Sequence, residues 1–330
     1  MSVLITADLH LSANPRDEYR LAWQQKLRAL ARKHKAECVL ILGDLTEEKD
    51  RHGAWLVNQV VQHLSELALI CPVVILKGNH DYVDVSSPFF AFLGSVPGIT
   101  WVGSPRTAET LPIPPLAGLK RVLFYPHGSK MDDPKGFDLV FAHDTFQGAA
   151  IGHSMRADHG LSPSLFGKAQ VISGDIHIPQ QVGQNVTYVG APYTVDFGDD
   201  YEPRVLVLAG GKTISVPCPG PQKRLVDVVD GKFDKGRVTP GDILKVRVHL
   251  TSENRNDWHA IQKTIRDTFE EMGCIVHAVQ PVLTDSRSRV SRKLSKPKTQ
   301  SDKLLLLQYA RARKIDESTT KVGLRLMRNA

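Results

Sequence analysis

The chain is predicted to fold as an α/β protein, and three observations carry that reading. Short apolar runs alternate with amphipathic stretches from the first residue to about residue 215, the rhythm of a sheet with helices packed on its faces. Two segments with glycine-containing turns suggest hairpins, and so an antiparallel addition to that sheet. The Pro-rich stretch "PCPGPQKR" at 217–224 marks the boundary to a smaller unit.

The elements follow in order. "SVLITAD" is a strand, and "DEYRLAWQQKLRALARKHKA" has helical spacing at Leu21, Leu27, Leu30 and Ala31. "CVLILGD" is a second strand, "AWLVNQVVQHLSELA" a second helix and "PVVILKGN" a third strand. "FDLVFAHD" and "AQVISGD" are later strands, followed by the hairpins "QQVGQNVTYVGAP" and "RVLVLAGGKTISV". Beyond the boundary, strand "DILKVRVHL", helix "NDWHAIQKTIRDTFEEMG" and strand "CIVHAVQPVL" form a compact α+β unit. "TDSRSRVSRKLSKPKTQ" reads as a flexible basic linker, and two short helical patterns, "SDKLLLLQYARARK" and "STTKVGLRLMRN", follow it.

At 330 residues the chain is long for one core and comfortable for two domains. Its four cysteines (Cys38, Cys71, Cys218, Cys274) form no C-x-x-C pair, which argues for reduced thiols in a cytosolic setting and against zinc fingers. The N-terminal apolar run lacks a basic flank and reads as a strand, not a signal peptide. No apolar run approaches the ~20 residues that cross a bilayer. A soluble, cytoplasmic protein is therefore expected. The net charge of +7 is concentrated: residues 281–330 hold 13 Lys and Arg against 4 Asp and Glu. Such a segment is either a polyanion contact or a solvated tail.

Five strand candidates end in groups that a core would not accept. They deliver Asp8 and His10, Asp44, Asn79 and His80, His143, and Asp175 and His177. Alone, each is an ordinary feature: a Gly-Asn-His-Asp turn is a common loop, Asp8 and His10 could cap a turn, and a lone His143 could be a satisfied core histidine. Together they converge, because ligands of open α/β sheets bind beyond the carboxyl ends of the strands. Buried unpaired, each group would be costly; gathered around divalent cations they satisfy one another. The Asp-rich set suits hard or borderline ions such as Mn²⁺.

The ordered motifs D-x-H, G-D, G-N-H-D, a strand-end His and G-x-x-H resemble those of calcineurin-like metallophosphoesterases. Within that superfamily the chain looks most like the SbcD type, the meiotic-recombination-eleven nucleases, of bacteriophage or bacterial recombination. "ADLHLS" at the start, "GNHD" in place of G-N-H-E and the small α+β unit carry that likeness, while the phosphatase hallmark G-D-x-x-D-R-G is replaced by "GDLTEEKDR". The resemblance implies a β-sandwich flanked by helices, with a nuclease domain at 1–216, a capping, DNA-contacting domain at 222–283, the linker at 284–300 and a partner-binding helical tail at 301–330. It implies that Asp8, His10, Asp44 and His177 hold one ion and Asp44, Asn79, His143 and Asp175 the other, with Asp44 bridging two Mn²⁺ (or Mg²⁺). His80 would be the general acid, with Asp81 orienting its imidazole, and Arg287, Arg289, Arg292 and Lys293 would contact DNA. A homodimer working with an SMC-like ATPase of the SbcC type is the implied assembly, and Leu304 to Leu307 read as part of its docking surface.

Two departures stand out. Relatives commonly have His where this chain has Asp175, and often a His where it has Glu47, three residues after Asp44. Asp175 adds a hard oxygen donor and a negative charge, favouring Mn²⁺ or Mg²⁺. His127, His153 and His159 read as loop histidines. Two other functions compete with a DNA nuclease. A small-molecule phosphodiesterase or phosphatase would not need the basic C-terminal segment, and an inactive scaffold would not need the full ligand set.

Overall fold

The computed structural model describes residues 2–111, 121–152, 155–251 and 254–283. The first sheet grows from near-continuous apolar runs: β1 (Ser2–Thr6), β2 (Cys38–Leu42), β3 (Val73–Leu76) and β4 (Ile99–Val102). They run parallel, and crossover helices α1 (Glu18–Lys33) and α2 (Ala54–Ala68) connect the first three. The second sheet takes β5 (Arg106–Thr107), β6 (Val122–Tyr125), β7 (Leu139–His143), β8 (Gln170–Gly174), β9 (Gln180–Val182) and β10 (Val186–Tyr188). Hairpin strands β11 (Arg204–Ala209) and β12 (Lys212–Pro217) return to the first sheet, where β11 pairs antiparallel with β1. The orders are β12-β11-β1-β2-β3-β4 and β5-β6-β7-β8-β10-β9.

The two sheets share one core. Val3, Ile5, Leu40 and Val74 of the first sheet meet Phe124, Phe141 and Ile172 of the second in a single buried cluster. Alternate residues of the first sheet, Leu4, Val39 and Ile75, point the other way, onto Leu27 of α1 and Val60 and Leu64 of α2. Burial on both faces explains why these strands are apolar throughout. The outer face of the second sheet is covered differently. Val140, Ala142 and Val171 pack under Phe146, Ala157 and Phe166, side chains of the connection between β7 and β8. The expectation of one sheet with helices on its faces is corrected accordingly: helices cover the first sheet, and a connecting segment covers the second.

A third sheet joins β13 (Lys223–Val229), β14 (Ile243–Leu250) and β15 (Ile275–Leu283) in that order, with α3 (Trp258–Glu271). Val226, Leu244, Val246 and Phe269 give it a core of its own. By their contacts, residues 1–250 and 254–282 form one unit. Linker 284–300, tail 301–330, Arg287, Arg289, Arg292, Lys293 and Leu304 to Leu307 lie outside the described residues, as does His153. The four cysteines are buried and free. Among the described residues no helix is long and apolar enough to cross a membrane.

Candidate metal centre

The parallel register levels the strand ends. Thr6 pairs with Ile41, Leu42 with Leu76, and His143 with Gly174, so the turns after β1, β2, β3 and β8 open at one edge. Those turns are sharp. Asp8, His10, Asp44 and Asp175 have φ of 54°, 41°, 55° and 89°, the left-handed region that L-residues rarely occupy. Such strain persists only where surrounding contacts over-determine it. Here His10 N donates to Asp44 O at 2.9 Å and Leu11 N to Leu45 O at 2.9 Å, lacing the first two turns together. Gly43, at φ 85°, and Gly78 complete the cradle: a Cβ on Gly43 would strike the His143 ring, and one on Gly78 the Asp44 carboxylate.

The side chains converge on Asp44. One of its oxygens lies 3.5 Å from His10 Nε2 and the other 3.4 Å from His143 Nε2. His10 Nε2 also faces His177 Nε2 at 3.1 Å, and His143 Nε2 faces Asn79 Oδ1 at 3.1 Å. His143 Nδ1 donates to Leu42 O at 2.6 Å, which leaves Nε2 to face the site. Asp8 Oδ1 accepts from Asp175 N at 3.0 Å. Asp175 turns one oxygen to Thr145 Oγ1, at 2.5 Å, and the other towards His143 Nε2, at 4.0 Å. The seven residues expected as ligands are thus brought together around Asp44.

Electrostatics show what such crowding costs. Burial lifts the Asp8 carboxyl to about 6, against the pull of His143 and His177. Burial would lower the His143 imidazole, but Asp44, Asp8 and Asp175 hold it well above its ordinary value. Burial drives His10 well below its ordinary value, with Asp44 opposing. Asp8 Oδ2 and His10 Nδ1 are buried without hydrogen-bond partners. Two ring nitrogens, His10 Nε2 and His177 Nε2, facing one another at 3.1 Å beside an orphaned carboxylate oxygen, form a donor set that fits divalent cations. Asp8, His10 and Asp44 offer ligand atoms mutually within 4.8 Å.

A family profile for the calcineurin-like phosphoesterases matches residues 1–211. The chain belongs to that family. Among curated relatives, it is 22% identical over 213 residues to Putative phosphoesterase 078R of Invertebrate iridescent virus 3, covering 61% of this chain and 60% of that one. It is 20% identical over 356 residues to Uncharacterized protein R555 of Acanthamoeba polyphaga mimivirus, covering 96% of this chain and 25% of that one. The chain thus spans 60% and 25% of the length of these two relatives. Among solved structures, nuclease MPE of Pseudomonas putida matches at 16% identity and TM-score 0.37, over 65% of this chain and 87% of that one. A dimetal phosphatase from Danio rerio matches at 11% identity and TM-score 0.39, over 66% and 99%.

The Asp/His cluster of this family member suits the dimetal site typical of the calcineurin-like phosphoesterases. His80 stands beside the cluster: its ring lies 4.8 Å from that of His10, and its Nδ1 lies 2.8 Å from Glu47 O. The expected Asp81–His80 pair is corrected. Asp81 is fully buried, and its carboxylate accepts from Gly78 N, Asp44 N and Leu45 N at 2.6, 3.0 and 3.0 Å. Its three recorded hydrogen bonds go to these amides, so it ties the turn after β2 to the turn after β3.

Three neighbours escaped the sequence reading. His127 follows β6 and sets its ring 6.2 Å from that of His143, with Nδ1 2.7 Å from Tyr82 Oη. The signal was available, since "LFYPH" is another apolar run ending in a histidine. Thr145 holds Asp175, and Arg20, buried in α1, reaches the main chain of His10. Arg20 sits on a helix face that the pattern marks as core, and no sequence signal distinguishes it there. His159 is exposed, and its Nδ1 lies 2.9 Å from Oδ1 of its neighbour Asp158.

Proposed function

We propose that this protein is a two-metal phosphodiesterase that cuts DNA in the manner of the SbcD-type nucleases, with Mn²⁺ or Mg²⁺ as its ions. The observation that carries the reading is His80, half-buried beside the Asp44-centred cluster with Nδ1 against a carbonyl oxygen. Divalent ions at this site would supply an activated water and charge for the attacking and leaving oxygens. Asp8, His10, Asp44 and His177 would hold one, and Asp44, Asn79, His143 and Asp175 the other. The leaving group of a diester is an alkoxide, which needs a proton as the bond breaks. With Nδ1–H given to Glu47 O, His80 has Nε2 free to deliver one, as a general acid.

Charge supports DNA over a small diester. Residues 281–330 carry 13 Lys and Arg against 4 Asp and Glu. Around His277 of the third sheet, Lys223 and Lys245 of that sheet and Arg16, just before α1, add to burial in holding the imidazole below its ordinary value, with Asp17 opposing. Phosphate contacts by such groups provide the sequence-independent part of DNA affinity. A homodimer with an SMC-like ATPase of the SbcC type, in DNA repair or recombination, is the companion proposal. The test is incubation with linear duplex and hairpin DNA plus Mn²⁺, with and without that ATPase. Cleavage lost on chelation is expected. Hydrolysis of bis(p-nitrophenyl) phosphate with no cleavage of any DNA would replace this reading with a small-molecule phosphodiesterase.

A further inference from the structure

A histidine that binds a cation through Nε2 must carry its proton on Nδ1, and that N–H needs an acceptor to set the ring's orientation. His143 has one, the Leu42 carbonyl at 2.6 Å. His10 is 2% exposed, and its Nδ1 has no hydrogen-bond partner within ordinary reach. Among the described residues one carboxylate lies within 4.0 Å of that nitrogen: Glu47, with Oε2 at 3.5 Å. Glu47 is not loose. Its Oε2 accepts from Arg20 Nη1 at 2.9 Å. Arg20, itself 2% exposed, uses the same Nη1 on His10 O at 2.6 Å and Nη2 on Val195 O at 3.1 Å. The main-chain oxygen of Glu47 faces His80 Nδ1 at 2.8 Å.

We infer that Glu47, clamped by Arg20, is the positioning residue for His10: its carboxylate accepts the Nδ1–H hydrogen bond and turns Nε2 towards Asp44 and His177. The same residue, through its carbonyl, gives His80 the corresponding orientation. One residue after the β2 turn thus sets which nitrogen two imidazoles present to the site, one through a side chain and one through the backbone. Glu47 is not counted among the ligands. His10, Glu47 and His80 could themselves surround an ion, but the His10 nitrogen within 4.0 Å of the Glu47 carboxylate is Nδ1, whereas the one facing Asp44 is Nε2.

The inference rests on the dimetal reading, and the experiment separates the two. Full-length wild type, Glu47→Ala and Glu47→Gln are titrated calorimetrically with Mn²⁺. Glu47→Ala is expected to weaken one ion by ~10–100-fold, the usual effect of losing a partner behind a ligand, with the other unchanged. Glu47→Gln keeps an oxygen for both Arg20 and His10 and is expected to stay near wild type. Unchanged affinity for both ions in Glu47→Ala overturns the inference alone. A fall in Glu47→Gln as large as in Glu47→Ala also overturns it, by making Glu47 a ligand. A wild type that binds fewer than two ions overturns the dimetal reading and this inference with it. Should Glu47→Ala not fold, ¹⁵N-histidine spectra of the Zn²⁺-loaded wild type and Glu47→Gln read the tautomer directly. A His10 protonated at Nδ1 and metallated at Nε2 is expected, and the reverse overturns the assignment.

Discussion

The two halves of the metal centre are held by different means. On one side, His143 is fixed by main chain: the Leu42 carbonyl takes its Nδ1–H, and Gly43 leaves room for its ring. On the other, His10 faces a carboxylate that is itself held by an arginine from α1. A residue fixed by backbone cannot be re-aimed without moving strands, whereas one held by side chains can be edited one residue at a time. The departure at Glu47 falls in the editable half. Asp175, the other departure, is also held by a side chain, the Thr145 hydroxyl.

The largest expected effect abolishes the comparison. Asp44→Asn removes the charge that faces both histidines, so both ions should be lost from a calorimetric Mn²⁺ titration and diester hydrolysis should fall below that of every other variant. Next, His80→Ala should lower hydrolysis by ~10²–10⁴-fold while both ions still bind. A lost ion, read by plasma emission, would move His80 into the ligand set. Gly43→Ala tests the backbone-held half, since it adds a Cβ against His143 at φ 85°. We expect a loss of about 3 kcal/mol in urea unfolding, together with weakening of the ion at His143. Asp175→Asn keeps shape and loses charge, so it should weaken one ion only; two unchanged Mn²⁺ sites would remove Asp175 from the centre.

The smallest effect is that of pH. Burial raises Asp8 from 3.8 to about 6, and the surrounding carboxylates raise His143. Both groups hold protons that a cation must displace, so Mn²⁺ affinity should decline as pH falls through 6. In the metal-free protein Asp8 contributes with the opposite sign, while His10, held below its ordinary value, contributes a loss of stability as pH falls over the same range. A carboxyl whose folded value exceeds its unfolded one makes the fold more stable as pH drops from above 6 towards 4. Melting curves at pH 8 and pH 5, with Mn²⁺ or with chelator, separate the two trends.

Much of the centre was legible in the sequence because strand ends announce themselves. An apolar run that stops at Asp, Asn or His is a local signal, and Asp8, Asp44, Asn79, His143 and Asp175 all carry it. The strands β1, β2, β3, β7 and β8 were legible for the same reason. Strand β13 was not, because in "KRLVDVV" only alternate residues are buried and charges flank them. The Arg20–Glu47 clamp joins residues 27 positions apart across a helix and a turn, a relation no periodicity encodes. Asp81 was misread for a related reason: adjacency suggested His80 as its partner, while burial directs its carboxylate to the amides of Asp44, Leu45 and Gly78.

That carboxylate has a mechanical consequence. Asp44 and His80 follow different strands, yet Asp81 binds the amides of both turns, and His80 N donates to Asp44 Oδ1 at 2.8 Å. Four hydrogen bonds therefore tie the two turns to each other, three through the Asp81 carboxylate and one through that of Asp44. The amide protons of Asp44, Leu45 and Gly78, all given to one carboxylate, should then exchange with solvent as a single cooperative group.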